Sequence, residues 1–249
     1  MKVRFVGKGI EEISALARAA GLEIDDARPE VVVCHGGDGT LLGAERDFPN
    51  IPKLALRLDS ECRKCQDHRT QNMLERLAQG DLEATRLPKI EARLGDRRTV
   101  GLNDVMILKA NLMSAVRYKV WIGEQLYSEE IVADGLVAAT PFGSSGYYRS
   151  ITHSVIRAGM GLAFNNSTEP IDHIVLHEGE KIRVAITRGP ALLGADNDPD
   201  LIPMDEGDEA LIERSASSAT VLAVDTLLCN NCARLDGRKW NRHGGLLTL

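Results

Sequence analysis

A run of valines from Val31 leads into Cys34-His35-Gly36-Gly37-Asp38-Gly39-Thr40. From 36 to 39 the chain strips side chains from every position but one, and keeps a carboxylate there. Glycine permits positive φ and lets backbone come close to a ligand. Where a buried strand turns into a helix, outward-pointing amides favour a phosphate. Asp38 repels that phosphate, so it is no anion ligand. It makes sense against an alcohol, whose proton a carboxylate within hydrogen-bond reach accepts as a phosphoryl group is transferred. Gly36, Gly37, Gly39 and Thr40 are therefore candidate phosphate contacts, and Asp38 the candidate base. The alternative is an ordinary strand-to-helix turn with a polar tip.

Cysteines form a second set. Cys62 and Cys65 frame CRKC, and Cys229 and Cys232 frame CNNC, using four of the five cysteines in the chain. Two such pairs suit one tetrahedral zinc on four thiolates, with redox pairs or unrelated thiols as alternatives. Cys34, inside a strand, reads as a small buried residue. His35 reads as a partly exposed strand-end histidine. His153, His173 and His177 have no triad or HExxH partner, so no histidine is assigned to catalysis. The acidic stretch MDEGDEAL lacks EF-hand spacing and reads as a solvated turn.

These residues need elements to hold them. KVRFVG, EVVVC and KLALRL read as short strands without polar alternation, the mark of strands covered on both faces. IEEISALARAAG, GTLLGAERDF and DHRTQNMLERLAQGD read as the helices between them. Alternation of strand and helix predicts an α/β, Rossmann-like first domain. After Leu87 the texture becomes β-rich, with turn signals at Gly95-Asp96 and Gly123-Glu124, and predicts a β-sandwich-like second domain. The boundaries expected are 1–87 with 222–249, and 88–221. Ligands gather at the carboxyl ends of strands in such α/β sheets.

Composition narrows the partners. The chain has 249 residues and a formal net charge of −6. An acidic protein repels phosphate backbones at long range, and aromatics at 4% leave few stacking platforms, so nucleic acid is not the expected partner. No apolar run approaches the roughly twenty residues that span a bilayer, and MKVRFVGKG lacks the apolar core of a signal peptide, so a cytoplasmic protein without membrane attachment is expected.

The motifs carry a resemblance. GGDGT after an apolar strand resembles the superfamily of NAD kinases, diacylglycerol-type lipid kinases and phosphofructokinases. DGLVAATPFGSSGYYRS from Asp134 is similar to the NAD kinase pattern D-G-x-x-x-x-T-P-x-G-[ST]-T-A-Y-x-x-S, and GLNDV at Gly101 to that family's L-N-E-V. All three stand in the family's order, across roughly Val31 to Gly207. The resemblance implies transfer of a phosphoryl group from ATP or polyphosphate, with Mg2+, to the 2′-hydroxyl of NAD. It places Asp38 on that hydroxyl, Asn103 and Asp104 at the adenosine part, Asp134 at the nicotinamide half, and Ser145, Gly146, Tyr147 and Ser150 along the dinucleotide. It also implies a C-terminal segment returning to the first domain, which would bring CNNC towards CRKC, and a homodimer or homotetramer.

The chain departs from the family at several points. LALRLDSECRKC replaces a glycine- and phenylalanine-bearing loop, so the aromatic against adenine is missing, and Arg57 stands near an asparagine position where it is a candidate for phosphate contact or pairing with Asp59. Asp104 is one methylene shorter than the family's glutamate, and Gly146 replaces an alanine. Two other readings fit these departures: a lipid or other alcohol kinase sharing only GGDGT, and a zinc-stabilised NAD-binding regulator without turnover.

Overall fold

Val31, Val32, Val33 and Cys34 are all at most 5% exposed, as a strand covered on both faces requires. Val31 and Val33 pack with Ile13, Ala17, Met73, Leu74 and Leu77, while alternate residues turn to the opposite face. The computed structural model describes residues 1–57 and 68–227. It divides into two units, one comprising Met1–Arg86 with the chain from Ala219 on, the other Leu87–Ser218.

The first unit runs β1 (Lys2–Gly7), α1 (Ile10–Ala19), β2 (Glu23–Ile24), β3 (Val31–His35), α2 (Asp38–Asp47), β4 (Lys53–Leu56) and α3 (Thr70–Gln79). Its strands are parallel in the order β2-β1-β3-β4. Gly80 closes α3 in the left-handed conformation, the usual glycine stop.

The second unit follows β5 (Ala84–Leu94), which begins in the first, with β6 (Arg97–Gly101), β7 (Asp104–Lys109), β8 (Val116–Ile122), β9 (Gln125–Ala133) and β10 (Gly135–Ala139). Then come α4 (Tyr147–Thr152), β11 (Met160–Asn165), β12 (His173–Leu176), β13 (Ile182–Arg188), β14 (Ala191–Ala195), β15 (Ile202–Met204) and β16 (Glu209–Leu222). One antiparallel sheet has the order β12-β11-β10-β7-β14-β15. The other runs β16-β13-β8-β9, with β5 pairing β16 and β6. Ile107, Leu136 and Leu162 of the first share one core with Tyr118, Ile131 and Ile212 of the second.

β16 crosses the boundary between the units. Its last residues, Val221 and Leu222, pair parallel with Lys53 and Leu54 of β4, and α5 (Val224–Leu227) follows. The division at 219 thus falls inside a strand, where no change of texture marks it. Several elements escape the sequence reading, β15 and α5 among them. β2 has only two residues, β11 (MGLAFN) is built partly of glycine and alanine, which are poor strand formers, and α4 lies in a Pro-, Gly- and Ser-rich stretch.

A buried ion pair ties the helix after the glycines to its neighbouring strand. Lys53 of β4 is 0% exposed and Glu45 of α2 is 3% exposed. The ammonium pairs with the Glu45 carboxylate and donates to Phe48 O at 2.7 Å. Removing one partner strands a buried charge, at a cost of about 3–5 kcal/mol. Lys53→Met alone is expected to lower unfolding free energy in urea by that amount, and Lys53→Met with Glu45→Leu to recover most of it. Equal losses in the single and double variants would contradict this account.

Candidate functional site

The first unit holds the glycine turn at the carboxyl ends of parallel strands. Gly36 N donates to Leu56 O at 2.9 Å and Lys8 N to His35 O at 3.0 Å, so the chain leaving β3 is bonded to neighbouring strand ends on both sides. Gly36 has φ +157°, and a Cβ there would lie 2.5 Å from Thr40 Oγ1. No other residue fits without moving that hydroxyl. Gly37 caps α2 with extended backbone, and Asp38 is its first residue.

Asp38 is exposed, and among the described residues no hydrogen bond or ion pair holds its carboxylate. A carboxylate in a first helical turn is also favoured by the helix dipole, so its position alone fits either reading of the turn. His35 departs from expectation: it is buried, because Nδ1–H donates to Lys8 O at 2.6 Å and draws the ring inward. Arg57 does so too. One guanidinium nitrogen donates to Leu227 O at 3.1 Å, at the end of α5, while Asp59 lies outside the described residues. Cys62, Cys65, Cys229 and Cys232 also lie outside them.

The second unit gathers its candidates where β7 begins and β10 and β14 end. In this sheet Ala139 pairs with Asp104, and Ala195 with Val105. Leu102 and Asn103 link β6 to β7, and Thr140 and Asp196 are the residues just beyond β10 and β14. Thr140 grips the link from one side: its N–H donates to Asn103 O at 2.8 Å and its hydroxyl to Leu102 O at 2.7 Å. The same hydroxyl accepts from Gly143 N at 3.0 Å, starting the turn before α4. A Cβ on Gly143 would lie 2.1 Å from Asn103 O, so the two backbones touch.

That packing sets the dinucleotide candidates around Asn103. A Cβ on Gly146 would be 3.9 Å from Asn103 Nδ2, so this amide lies beside the turn. Asn103 Oδ1 is buried with no hydrogen-bond partner, an acceptor left for a ligand. The Tyr147 hydroxyl accepts from Asn165 Nδ2 at 3.1 Å, and its pKa is raised by burial and by the charges of Asp134 and Asp104. Ser145 and Ser150 are exposed, and their hydroxyls donate to Phe142 O at 3.5 Å and Tyr147 O at 2.7 Å.

Asp134 is more committed than its motif suggested. It pairs with Lys109 Nζ at 2.7 Å and accepts from Asn166 Nδ2 at 3.2 Å. Its hydrogen bond from Lys109 leads the causes that lower its pKa. Lys109, Thr140, Asn165, Asn166 and Asp196 were not singled out from sequence. Thr140, the threonine of the D-G-x-x-x-x-T-P pattern, and Asp196, a carboxylate directly after the apolar LLGA strand, carried a visible signal.

The family model falls mainly on this second unit. Residues 102–224 match the ATP-NAD kinase C-terminal domain. Over that stretch the chain is similar to NAD kinases. An NAD kinase of Saccharolobus islandicus is 30% identical over 170 residues, covering 63% of this chain and 64% of that protein. One of Clostridium botulinum is 29% identical over 148 residues, covering 55% and 51%. The matched stretches thus span between half and two thirds of these relatives.

Two solved structures share the two-domain NAD kinase fold at 17% identity. Yeast NADH kinase, crystallised with NADH, has a TM-score of 0.78 and covers 100% of this chain and 89% of its own. An NAD kinase of Archaeoglobus fulgidus in complex with ATP has a TM-score of 0.75, covering 94% and 99%.

In this second unit two buried carboxylates lie together. Asp104 is 4% exposed, and its pKa is pushed up to about 7 by burial and then by the charge of Asp196. An unfolded aspartate titrates near 4. Between about pH 4 and pH 7 the folded chain therefore holds a proton that the unfolded chain has lost. Stability falls across that window as pH rises, and below it neither state differs. Asp104→Asn removes this dependence. Its stability relative to wild type is expected to be about 1–3 kcal/mol more favourable at pH 8 than at pH 5. Urea unfolding at the two pH values measures it, and a constant difference would show that Asp104 does not titrate there in the fold.

Proposed function

We propose that the chain transfers a phosphoryl group from ATP, or from polyphosphate, to the 2′-hydroxyl of the adenosine ribose of NAD, giving NADP. The observation that carries this reading is the convergence of Asn103, Asp104, Gly146 and Tyr147 around one buried, unpartnered acceptor, Asn103 Oδ1, within the stretch matched to the family. Asn103 and Asp104 take the adenosine part, Asp134 the nicotinamide half, and Ser145, Tyr147 and Ser150 the intervening dinucleotide. Asp38 accepts the hydroxyl proton, and the amides at Gly36, Gly37, Gly39 and Thr40 hold the donor phosphates.

Among the described residues no group of three or more His, Cys, Asp or Glu is placed to hold a metal ion. Mg2+ therefore belongs to the reading as the ion carried on the donor phosphates, whose charge it offsets. The reading extends to a homodimer or homotetramer in the cytoplasm, with one structural zinc on Cys62, Cys65, Cys229 and Cys232. In the described residues no helix is long and apolar enough to cross a membrane. Zinc analysis of untagged protein is expected to give one equivalent per chain; no metal, with all four thiols titrating freely, would remove that part.

The activity is tested with NAD, ATP and Mg2+. NADP is expected as product. Asp38→Asn is expected to lower kcat about 10²–10⁴-fold, the usual contribution of a positioned base, while NAD affinity changes little. Undiminished turnover in that variant would remove Asp38 as the base, and tight NAD binding without turnover from any donor would make the chain a regulator.

A further inference from the structure

One carboxylate in the second unit is spent on backbone. Asp196 accepts from Leu102 N at 2.7 Å through Oδ2, and from Asn103 N at 2.7 Å and Asp104 N at 3.1 Å through Oδ1. Its own N–H donates to Asp104 O at 3.0 Å. Its backbone sits at φ +51°, a left-handed conformation uncommon outside glycine, which aspartate tolerates better than most. Three consecutive amides therefore converge on one side chain, the nest arrangement that binds anions elsewhere. Here the anion is supplied by the chain itself.

We propose that Asp196 is a positioning residue for nucleotide recognition: its carboxylate fixes the backbone of residues 102–104 and so sets the directions in which the Asn103 and Asp104 side chains meet the base and ribose. This rests on the reading of Asn103 and Asp104 as the adenosine site. Thr140 holds the carbonyls of Leu102 and Asn103 while Asp196 holds the three amides, so every polar backbone group that turns the link is bonded to a strand end of the same sheet. A ligand meets a link already ordered, and the cost of ordering it is not charged to binding.

Asp196 acts on Asp104 by charge as well. Burial raises its own pKa, while the three amides and the Lys89 ammonium pull the other way, and its charge helps keep Asp104 protonated. The groups facing this carboxyl pair are Lys89 from β5 and Tyr147 from α4. A side chain that merely fills space would influence neither the amides nor the Asp104 titration.

Asp196→Asn keeps the shape but replaces one acceptor oxygen with a donor and removes the charge. It is expected to speed amide hydrogen exchange at 102–104 in the ligand-free protein, by tenfold or more at Leu102. The Asp104 carboxyl titration, followed by carbon NMR, is expected to move to lower pH. NAD affinity is expected to fall about tenfold or more, with ATP affinity and far-ultraviolet circular dichroism unchanged.

Unchanged exchange at 102–104 overturns the proposal whatever NAD does, since that readout needs no ligand. Equal loss of NAD and ATP affinity together with secondary structure also overturns it, by making Asp196 a residue of general folding. Should wild type show no NAD affinity, the adenosine reading fails while exchange and titration still judge the positioning of the link. If Asp196→Asn does not fold, wild type decides. Amide shifts of Leu102, Asn103 and Asp104 titrating with one common midpoint support the proposal, and independent titrations overturn it.

Discussion

A carboxylate buried without enough hydrogen bonds is among the costliest groups a fold can hold, and the second unit holds two side by side. Asp196 meets the requirement with three peptide N–H groups from successive residues. Asp104 meets it differently, by keeping its proton to near neutral pH. The two solutions depend on each other. An ionised Asp196 is what holds the link in place, and its charge is part of what keeps Asp104 neutral. Three strand ends must arrive together for this to happen, and the pairing of β7 with both β10 and β14 delivers them. The antiparallel sheet is in this sense the device that makes the carboxyl pair tolerable.

The first unit solves the complementary problem of exposing a carboxylate in a defined direction. Asp38 lies outside any ion pair among the described residues, yet its backbone is fixed. Gly36 is bonded to Leu56 O, Lys8 to His35 O, and His35 turns its ring back onto Lys8 O. About two turns further along α2, the buried Glu45–Lys53 pair locks the helix to β4. The Asp38 carboxylate needs no partner of its own to be held in direction, because the elements on both sides of it are tied down.

Much of this was legible in the residues. The valine run, the glycine turn and the helix after it follow from burial on both faces and from φ limits, which are local properties. The Asn103-Asp104 pair and the TPFGSSGYY stretch were visible as motifs, although a helix as short as α4 among Pro, Gly and Ser has no periodicity to reveal it. Asp196 escaped because its role is written in three amides some ninety residues away, and main-chain donors leave no trace in side-chain patterns. Arg57 likewise meets a partner that side-chain patterns do not show, the carbonyl of Leu227, 170 residues distant. His35 was expected at the surface because strand ends often are, and a single carbonyl at Lys8 reversed that.

The charge balance explains why the glycines are needed at all. On the proposed reading a chain of net charge −6 meets a polyphosphate, and several described cations near its candidate residues are already engaged. Lys53 is bound to Glu45, Lys109 to Asp134, and Arg57 donates to a helix-end carbonyl. Each cation already neutralises or caps something that the fold would otherwise leave exposed to strain or desolvation. On that reading phosphate binding falls to peptide N–H groups, which carry no net charge and need no counter-ion in the empty state. An arginine cluster would hold donor phosphates more strongly, but it would also pair with Asp38 and hold its carboxylate away from any alcohol. With amides as the cradle, the one carboxylate in the turn is left without a competing cation, as its proposed role requires.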